Sequence, residues 1–528
     1  MPSYAKLFEN FVDIEQQTLC DIEGKLPTWL KGTLFRNGPG MFSIGDHSFE
    51  HLFDGLAYIQ RYHFENGKAF YNAKFLRSDT YKRNIKANRI VATEFGTKRS
   101  LDPTENIFRR FVTYFEIGPQ TDNTLINILQ CGDNIYATTE VPWMHKIDVV
   151  TLDSLKRETL KEYVNVDTVT AHQHYDEEGN IYNIGTKFGR KAKYIFFKTP
   201  NPKFIKTNQE KSDFSTTTFL GEIKASDAMS PTYYHSFAMT SNYMILFESS
   251  LRIHIPTLLT TAVISKSYRD AFRYTEGQMT VVQILNHKSG KVFDVKIFAS
   301  CFFTFHHANA YEKDEHLFID YVRYDKVGTV EFLSLENMRS GKFTTLDDSQ
   351  RSFLYRMIIP LNIPSECKPG TDLLQGKKFA GKCRFIKQSD GSFFALDEKL
   401  CEIPFEFPRY NYNAFNAKPY RFVYGAVLQP NKNSIDGLVK VDVEAKTTIT
   451  WKRDNELQLC TEPVFVESPN AVNEDDGILL CPVLTTEEGG RPFILVVNAK
   501  DMSEAARCYV NCRLPFSFHG HFVHSLHK

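Results

Sequence analysis

The chain has 528 residues, with 63 basic against 63 acidic side chains, 42% hydrophobic and 24% charged. A net charge of zero argues against nucleic acid as the main partner, because phosphate binding draws on a basic excess or stripe. The composition is that of a globular protein with material for a large core, and no low-complexity linker divides it, so a single domain over residues 1–528 is expected.

The first seventeen residues, MPSYAKLFENFVDIEQQ, lack a basic region followed by an apolar run, so no secretory leader is expected. Short runs then follow one another: IYATTEV, KYIFFKT, YMILFES, HLFIDYV, SFFALDE, RFVYGAV and GLVKVDV. Each is β-branched or aromatic and bounded by turn residues, which is the pattern of a strand. Helical periodicity is confined to 258–272 and parts of 106–115, so the expected fold class is all-β.

A faint repeat joins HKIDVVTLDSLKRETL, VQILNHKSGKVFDVK, VKVDVEAKTTITWK and LVVNAKDMSEAARCYV. Each has an apolar strand, an Asp or Asn (Asp148, Asn286, Asp442, Asn498), a short turn and a second strand. An Asx side chain closing such a turn suits the outer hairpin of a propeller blade. Spacings of 138, 156 and 56 residues suit blades of uneven size.

No stretch is apolar over the roughly 18 residues that a membrane span needs. The segment 253–264, with Ile253, Ile255, Leu258, Leu259 and Ile264 among its apolar members, stands between Arg252 and Lys266. It is too short to span and very apolar for an exposed loop. Interfacial membrane contact and a buried core segment are both open. The ten cysteines are scattered and form no C-x-x-C pair, which reads as reduced thiols rather than a disulfide or zinc framework.

Of sixteen histidines, four stand in distinctive contexts: TAHQHYD (His172), PTYYHSFAMT (His235), FFTFHHANAYE (His306) and LPFSFHGHF (His519). Their separations are 63, 71 and 213 residues. Steps of one, one and three blades on a seven-bladed wheel, about 75 residues each, would place the four on inner strands converging on one axis. Neutral imidazoles bind Fe(II) well, and four on an octahedral ion leave two positions for dioxygen or solvent. Carboxylates behind the far ring nitrogens would fix the tautomers and offset the charge. His174 and His521 compete, since each H-x-H pair shares a strand face and can chelate zinc locally. His306 and His307 are adjacent and cannot both face inward. The pattern alone does not choose among these, while His524 and His527 read as solvated.

At these residues the sequence resembles the carotenoid cleavage oxygenase family. The resemblance is to its animal branch, the β-carotene oxygenase and retinoid isomerohydrolase group, and most of all to the insect isomerooxygenase type. The matching stretches run in order through nearly the whole chain. They are KGTLFRNGPGMF (31–42), FDGLAYI (53–59), FLRSDTY, NRIVATEFGT, DNTLINI, the four histidine motifs, PFEFPRYNY (404–412), KPYRFVYG, TEPVFVESPNAVNEDDGILL (461–480), NAKDMSEAARCYV and FHGHF.

The resemblance implies a seven-bladed β-propeller with a helical and loop cap over the iron-containing face and one Fe(II) per chain. It implies His172, His235, His306 and His519 as ligands, with His174, His307 and His521 as neighbours. It implies Glu140, Glu406 and Glu462 as the carboxylates that orient His235, His306 and His519, leaving His172 without one. Thr139 matches a threonine that limits access to one open iron position. One departure stands out. Vertebrate members carry a proline-aspartate-proline-cysteine-lysine motif on a membrane-facing segment; here 101–111 reads LDPTENIFRRF, and Thr104 in place of the cysteine excludes acylation there. Phe108, Phe111, Arg109 and Arg110 remain suited to lipid headgroups beside 253–264.

The implied activity is dioxygen-dependent cleavage of a carotenoid at its central 15,15′ double bond to retinal, without an organic cofactor. Coupled isomerisation of one product from all-trans to 11-cis, as in the insect type, is part of that expectation. Retinyl-ester isomerohydrolysis on the same scaffold and eccentric 9′,10′ cleavage stay open. A cytoplasmic, peripherally membrane-associated enzyme with an apolar entrance and an aromatic-lined tunnel is expected, with no obligate protein partner.

Overall fold

Burial sorts the strands by their place in each sheet. Outer strands such as Ser154–Thr159 and Thr447–Lys452 are mostly open to solvent. Middle strands such as Gly437–Asp442 and Phe493–Asn498 are buried at nearly every residue, because neighbouring sheets press on both of their faces. This is why the sequence runs are near-continuously apolar in some strands and alternate in others. The computed structural model describes residues 4–104, 121–204, 212–264, 267–344, 346–347, 349–428 and 437–524.

Six blades follow in succession along the chain, occupying 127–159, 168–224, 238–299, 307–399, 406–452 and 458–509. The third is widened by Arg384–Lys387 and Phe393–Leu396, the latter pairing in parallel with Ile297–Ala299. The sixth takes Asp21–Gly24 as its outermost strand. The remaining large sheet is the closure. It runs Ile14–Leu19, Lys68–Phe75, Leu56–Glu65, Gly32–Met41 and then His519–Val523, so both ends of the chain meet in it.

This arrangement corrects the expectation of a seven-bladed wheel under a helical cap. The chain folds six successive blades, and its last large sheet is not a further step of the same kind but a seam. Pairing the C-terminal strand beside Gly32–Met41 removes an edge that a strictly successive wheel would leave open. Among the described residues helices are few, the longest being Asp79–Ala87 and Ile255–Ile264. The stretch expected to be helical over 258–272 divides into the end of Ile255–Ile264, a 3-10 turn at Tyr268–Ala271 and the strand Phe272–Tyr274. The other helical expectation, 106–115, lies outside the described residues.

The Asx turns stand where the repeat places them. Asp148 accepts the Val150 and Thr151 N–H groups, Asn286 those of Lys288 and Ser289, Asp442 those of Glu444 and Ala445, and Asn498 that of Lys500. The inner strands meet one another: Ala238–Met239 packs on His307–Lys313, and that strand on Glu406–Arg409. Asn127–Cys131 and Val464–Glu467 pack on His519–Val523.

Candidate metal centre

Each of the four histidines stands at or just before an inner strand. His172 lies between Thr168–Val169 and His174–Tyr175, His235 precedes Ala238–Met239, His306 precedes His307–Lys313, and His519 opens His519–Val523. Local bonds set the approach of these segments. The His172 N–H donates to the Thr170 hydroxyl at 3.0 Å, and the Ser236 hydroxyl donates to the Phe305 carbonyl at 2.7 Å.

The four side chains converge. The Nε2 of His172 lies 2.8 Å from that of His235 and 3.1 Å from that of His519, and His306 Nε2 lies 3.4 Å from His519 Nε2. All four ligand atoms fall within 4.8 Å of one another. Nitrogens about 2.1 Å from one first-row ion lie about 3 Å apart when adjacent. The spacing therefore fits imidazoles around a single ion.

Carboxylates hold the far nitrogens. His235 Nδ1 lies 2.5 Å from Glu140, His306 Nδ1 2.6 Å from Glu406, and His519 Nδ1 2.8 Å from Glu462. With Nδ1–H donated outward, each Nε2 lone pair faces the shared centre. Three lone pairs aimed at one point repel unless a cation lies between them, so the donor set itself calls for a metal. Burial favours the neutral form of three of the rings. Burial first, then the neighbouring imidazoles, pushes His172 well below its ordinary range; burial pushes His519 down to about 3 against the pull of Glu462, and burial also lowers His235.

Each glutamate has further support. Glu140 accepts the Tyr233 hydroxyl at 2.8 Å. Glu406 accepts the Tyr324 hydroxyl, and also the Phe407 N–H at 2.7 Å. A register shift between Glu406 and Arg409, with Phe407 at φ 55°, turns the backbone so that this N–H reaches the preceding side chain. A bulky residue in the left-handed region is strained, and such strain gathers at functional sites.

Glu462 is held by Arg36 at 2.7 Å, by Arg409 at 2.8 Å and by the Gly520 N–H at 2.9 Å. Burial works to raise its pKa, but Arg409, His519 and Arg36 outweigh burial and hold it well below the carboxylate range. Gly520 is required by close approach. A Cβ there would meet Arg36 Cδ and the Phe35 carbonyl at 2.5 Å.

The competing histidines turn elsewhere. His174 Nε2 bonds to the Phe237 carbonyl at 2.9 Å, His307 Nδ1 to the Ser236 hydroxyl at 2.8 Å, and His521 Nε2 to Gln130 at 3.1 Å. His524 is exposed, and His527 lies outside the described residues. Arg36, Arg409, Tyr233, Tyr324 and Phe407 were not singled out from the sequence. Only Arg36 left a signal, a charge set inside the apolar strand motif TLFRNG.

A cavity of about 1040 Å³ opens beside the centre, with Thr139, Glu140, Tyr233, His235 and Phe272 in its wall. Thr139 is buried there. The cavity reaches Leu258 and Leu259 on helix Ile255–Ile264, and Leu259 is 51% exposed. With Ile255 buried and Leu259 exposed, the start of this helix lies between the two readings of 253–264. Phe108, Arg109, Arg110 and Phe111 lie outside the described residues. Among those described, no helix is long and apolar enough to cross a membrane. None of the ten cysteines is in a disulfide.

A family model described as retinal pigment epithelial membrane protein matches residues 8–524. A β,β-carotene 15,15′-dioxygenase of Homo sapiens is 35% identical over 512 residues, covering 95% of this chain and 91% of its own. The Gallus gallus protein of the same name is 36% identical over 519 residues, covering 96% and 95%. A mitochondrial carotenoid-cleaving dioxygenase of Mustela putorius furo is 32% identical over 536 residues, covering 99% and 97%. Among solved structures, the cobalt-substituted apocarotenoid oxygenase of Synechocystis superposes with a TM-score of 0.77 at 20% identity, over 99% of this chain and 98% of that one.

Proposed function

This chain belongs to the retinal pigment epithelial membrane protein family of carotenoid oxygenases, and from that membership we propose that it is a carotenoid cleavage dioxygenase acting at the central 15,15′ double bond to form retinal. The observation that carries the chemistry is the set of four converging imidazoles, three of them backed by glutamates, of which His235 lines a large cavity.

In this reading His172, His235, His306 and His519 hold one Fe(II), which when bound supplies the activation of dioxygen. Glu140, Glu406 and Glu462 keep the Nδ1 protons and so fix which nitrogen faces the metal. Thr139 narrows one approach to the centre from the cavity wall. Tyr233, Phe272 and Phe53 give the polyene an aromatic surface and exclude water from it. The coupled all-trans to 11-cis isomerisation of one product belongs to the same proposal. So does peripheral membrane contact through helix Ile255–Ile264, where the cavity meets exposed apolar surface.

The family description also supports a second reading, isomerohydrolysis of a retinyl ester, which consumes no dioxygen. Purified protein loaded with Fe(II) and given β-carotene separates the two. Expected is one dioxygen consumed for each pair of retinal molecules, with chromatography resolving their isomers. Products of unequal length would show eccentric cleavage. Conversion of retinyl ester with no oxygen uptake and no aldehyde from β-carotene would defeat the dioxygenase.

A further inference from the structure

The cavity wall carries five carboxyl groups that the metal centre does not use, those of Asp79, Glu94, Asp102, Asp122 and Asp167, and Glu94 is the most deeply buried of them. Glu94 is 2% exposed and lines the same cavity as Tyr233, His235 and Phe272. One of its oxygens accepts the Thr121 hydroxyl at 2.7 Å. The other has no hydrogen-bond partner among the described residues.

Nearby Asp54 shows what a purely structural carboxylate looks like here. It accepts the Gly96 N–H at 2.8 Å, the His51 N–H at 3.0 Å and the Thr97 hydroxyl at 2.5 Å. Asp54 thereby fastens the turn after Glu94 from outside the cavity lining. That turn has its side-chain support already, and the Glu94 carboxyl adds nothing to it.

This oxygen is not one of the side-chain atoms sealed from solvent without a partner among the described residues, so it stays open to the cavity, where a ligand hydroxyl can pair with it. Burial, with Asp54 and Asp122 adding to it, raises the Glu94 pKa well above the usual range despite the Thr121 bond. This shift favours the protonated form, which can donate a hydrogen bond as well as accept one. Tyr268 lines the same cavity, its hydroxyl pushed up to about 12 by burial and by Glu94.

Aromatic rings connect this corner to the metal centre. Phe95, the next residue, packs on Phe53 at 5.7 Å and on Phe272 at 5.1 Å. Phe53 packs on Phe305 at 6.4 Å, and Phe305 on His235 at 5.5 Å. A polyene lying along these rings has an oxygen-seeking group within the same cavity.

We propose that Glu94, steadied by Thr121, is a specificity residue that hydrogen-bonds a hydroxyl on one terminal ring of the carotenoid, so that the cavity selects hydroxylated carotenoids over their hydrocarbon counterparts. This rests on the carotenoid-cleavage reading above. A site built to pair with a hydroxyl discriminates against the analogue lacking it, because its own polar group is then left unpaired.

The test is the ratio of kcat/KM for zeaxanthin, which carries a hydroxyl on each ring, to that for β-carotene, which carries none. The wild-type ratio is expected to exceed one by about tenfold. Glu94→Leu is expected to lower it by about tenfold or more. Glu94→Gln, which keeps a donor and an acceptor of the same shape, is expected to hold it within about threefold. An unchanged ratio in Glu94→Leu, or equal losses on both substrates in both variants, would overturn the proposal and leave Glu94 structural. If Glu94→Leu does not fold, Thr121→Val is expected to lower the same ratio by freeing the carboxyl, and an unchanged ratio there also overturns it. A wild-type enzyme that cleaves neither carotenoid is a different failure, since it removes the carotenoid reading itself.

Discussion

At the scale of single residues, the centre depends on charges that never reach water. Arg36 is fully buried and pairs with Glu462, which in turn holds His519. Removing one member of a buried pair strands the other and typically costs about 3–5 kcal/mol. Arg36→Met is therefore expected to lower unfolding free energy by about that amount in chemical denaturation, and to lower the iron retained after dialysis. Retention of full stability would show that Arg409 alone suffices for Glu462. That these four histidines converge was legible in the sequence for a specific reason: histidines are rare enough that their motifs stand out, and the family resemblance chose among adjacent candidates. Arg36 left only its charge inside an apolar strand motif, and Tyr233 and Tyr324 left nothing, because tyrosine is ordinary in a strand and only burial reveals these partners. Phe407 was hidden for another reason, since its role lies in its backbone angle rather than its side chain.

At the scale of elements, outer hairpins and inner strands carry different burdens. Asp148 closes an outer turn, accepting the Val150 and Thr151 N–H groups in a half-exposed setting. Asp148→Ala is expected to cost about 1 kcal/mol and to leave the cleavage rate within about twofold, as steady-state kinetics would show. The Thr151 N–H above all lowers the Asp148 pKa. Its contribution is thus present above the unfolded carboxylate value of about 3.9 and is lost as pH falls through the lower folded value. Wild type and variant should therefore converge in acid denaturation. Turn positions could be read because Asx turns are local, within three residues of the side chain that makes them. The pairing of Gly32–Met41 with His519–Val523 could not, since no local pattern links strands at opposite ends of the chain. The blade count inferred from histidine spacing failed for the same reason: the seam does not follow the periodicity of the six successive blades.

At the scale of the whole molecule, the cavity ties the buried centre to an exposed apolar helix. Leu259 on Ile255–Ile264 is 51% exposed and lines the cavity. Burying a leucine is worth about 1.5–3 kcal/mol, so Leu259→Glu is expected to weaken vesicle binding about tenfold or more. Turnover of vesicle-borne carotenoid should fall with it, while detergent-delivered substrate is still cleaved. Equal losses in both assays would place the defect in the cavity instead. The seam has a further consequence, for the timing of assembly. His519 follows His306 by 213 residues, so a ribosome working at about 5–20 residues per second delivers the last of the four histidines about 10–40 s after the third. During that interval the nascent chain owns only a tripod of imidazoles, with neither the Glu462 buttress seated nor the ring fastened. Convergence of the full set of imidazoles is thereby coupled to closure of the wheel, and a truncated translation product is left without the fourth of them.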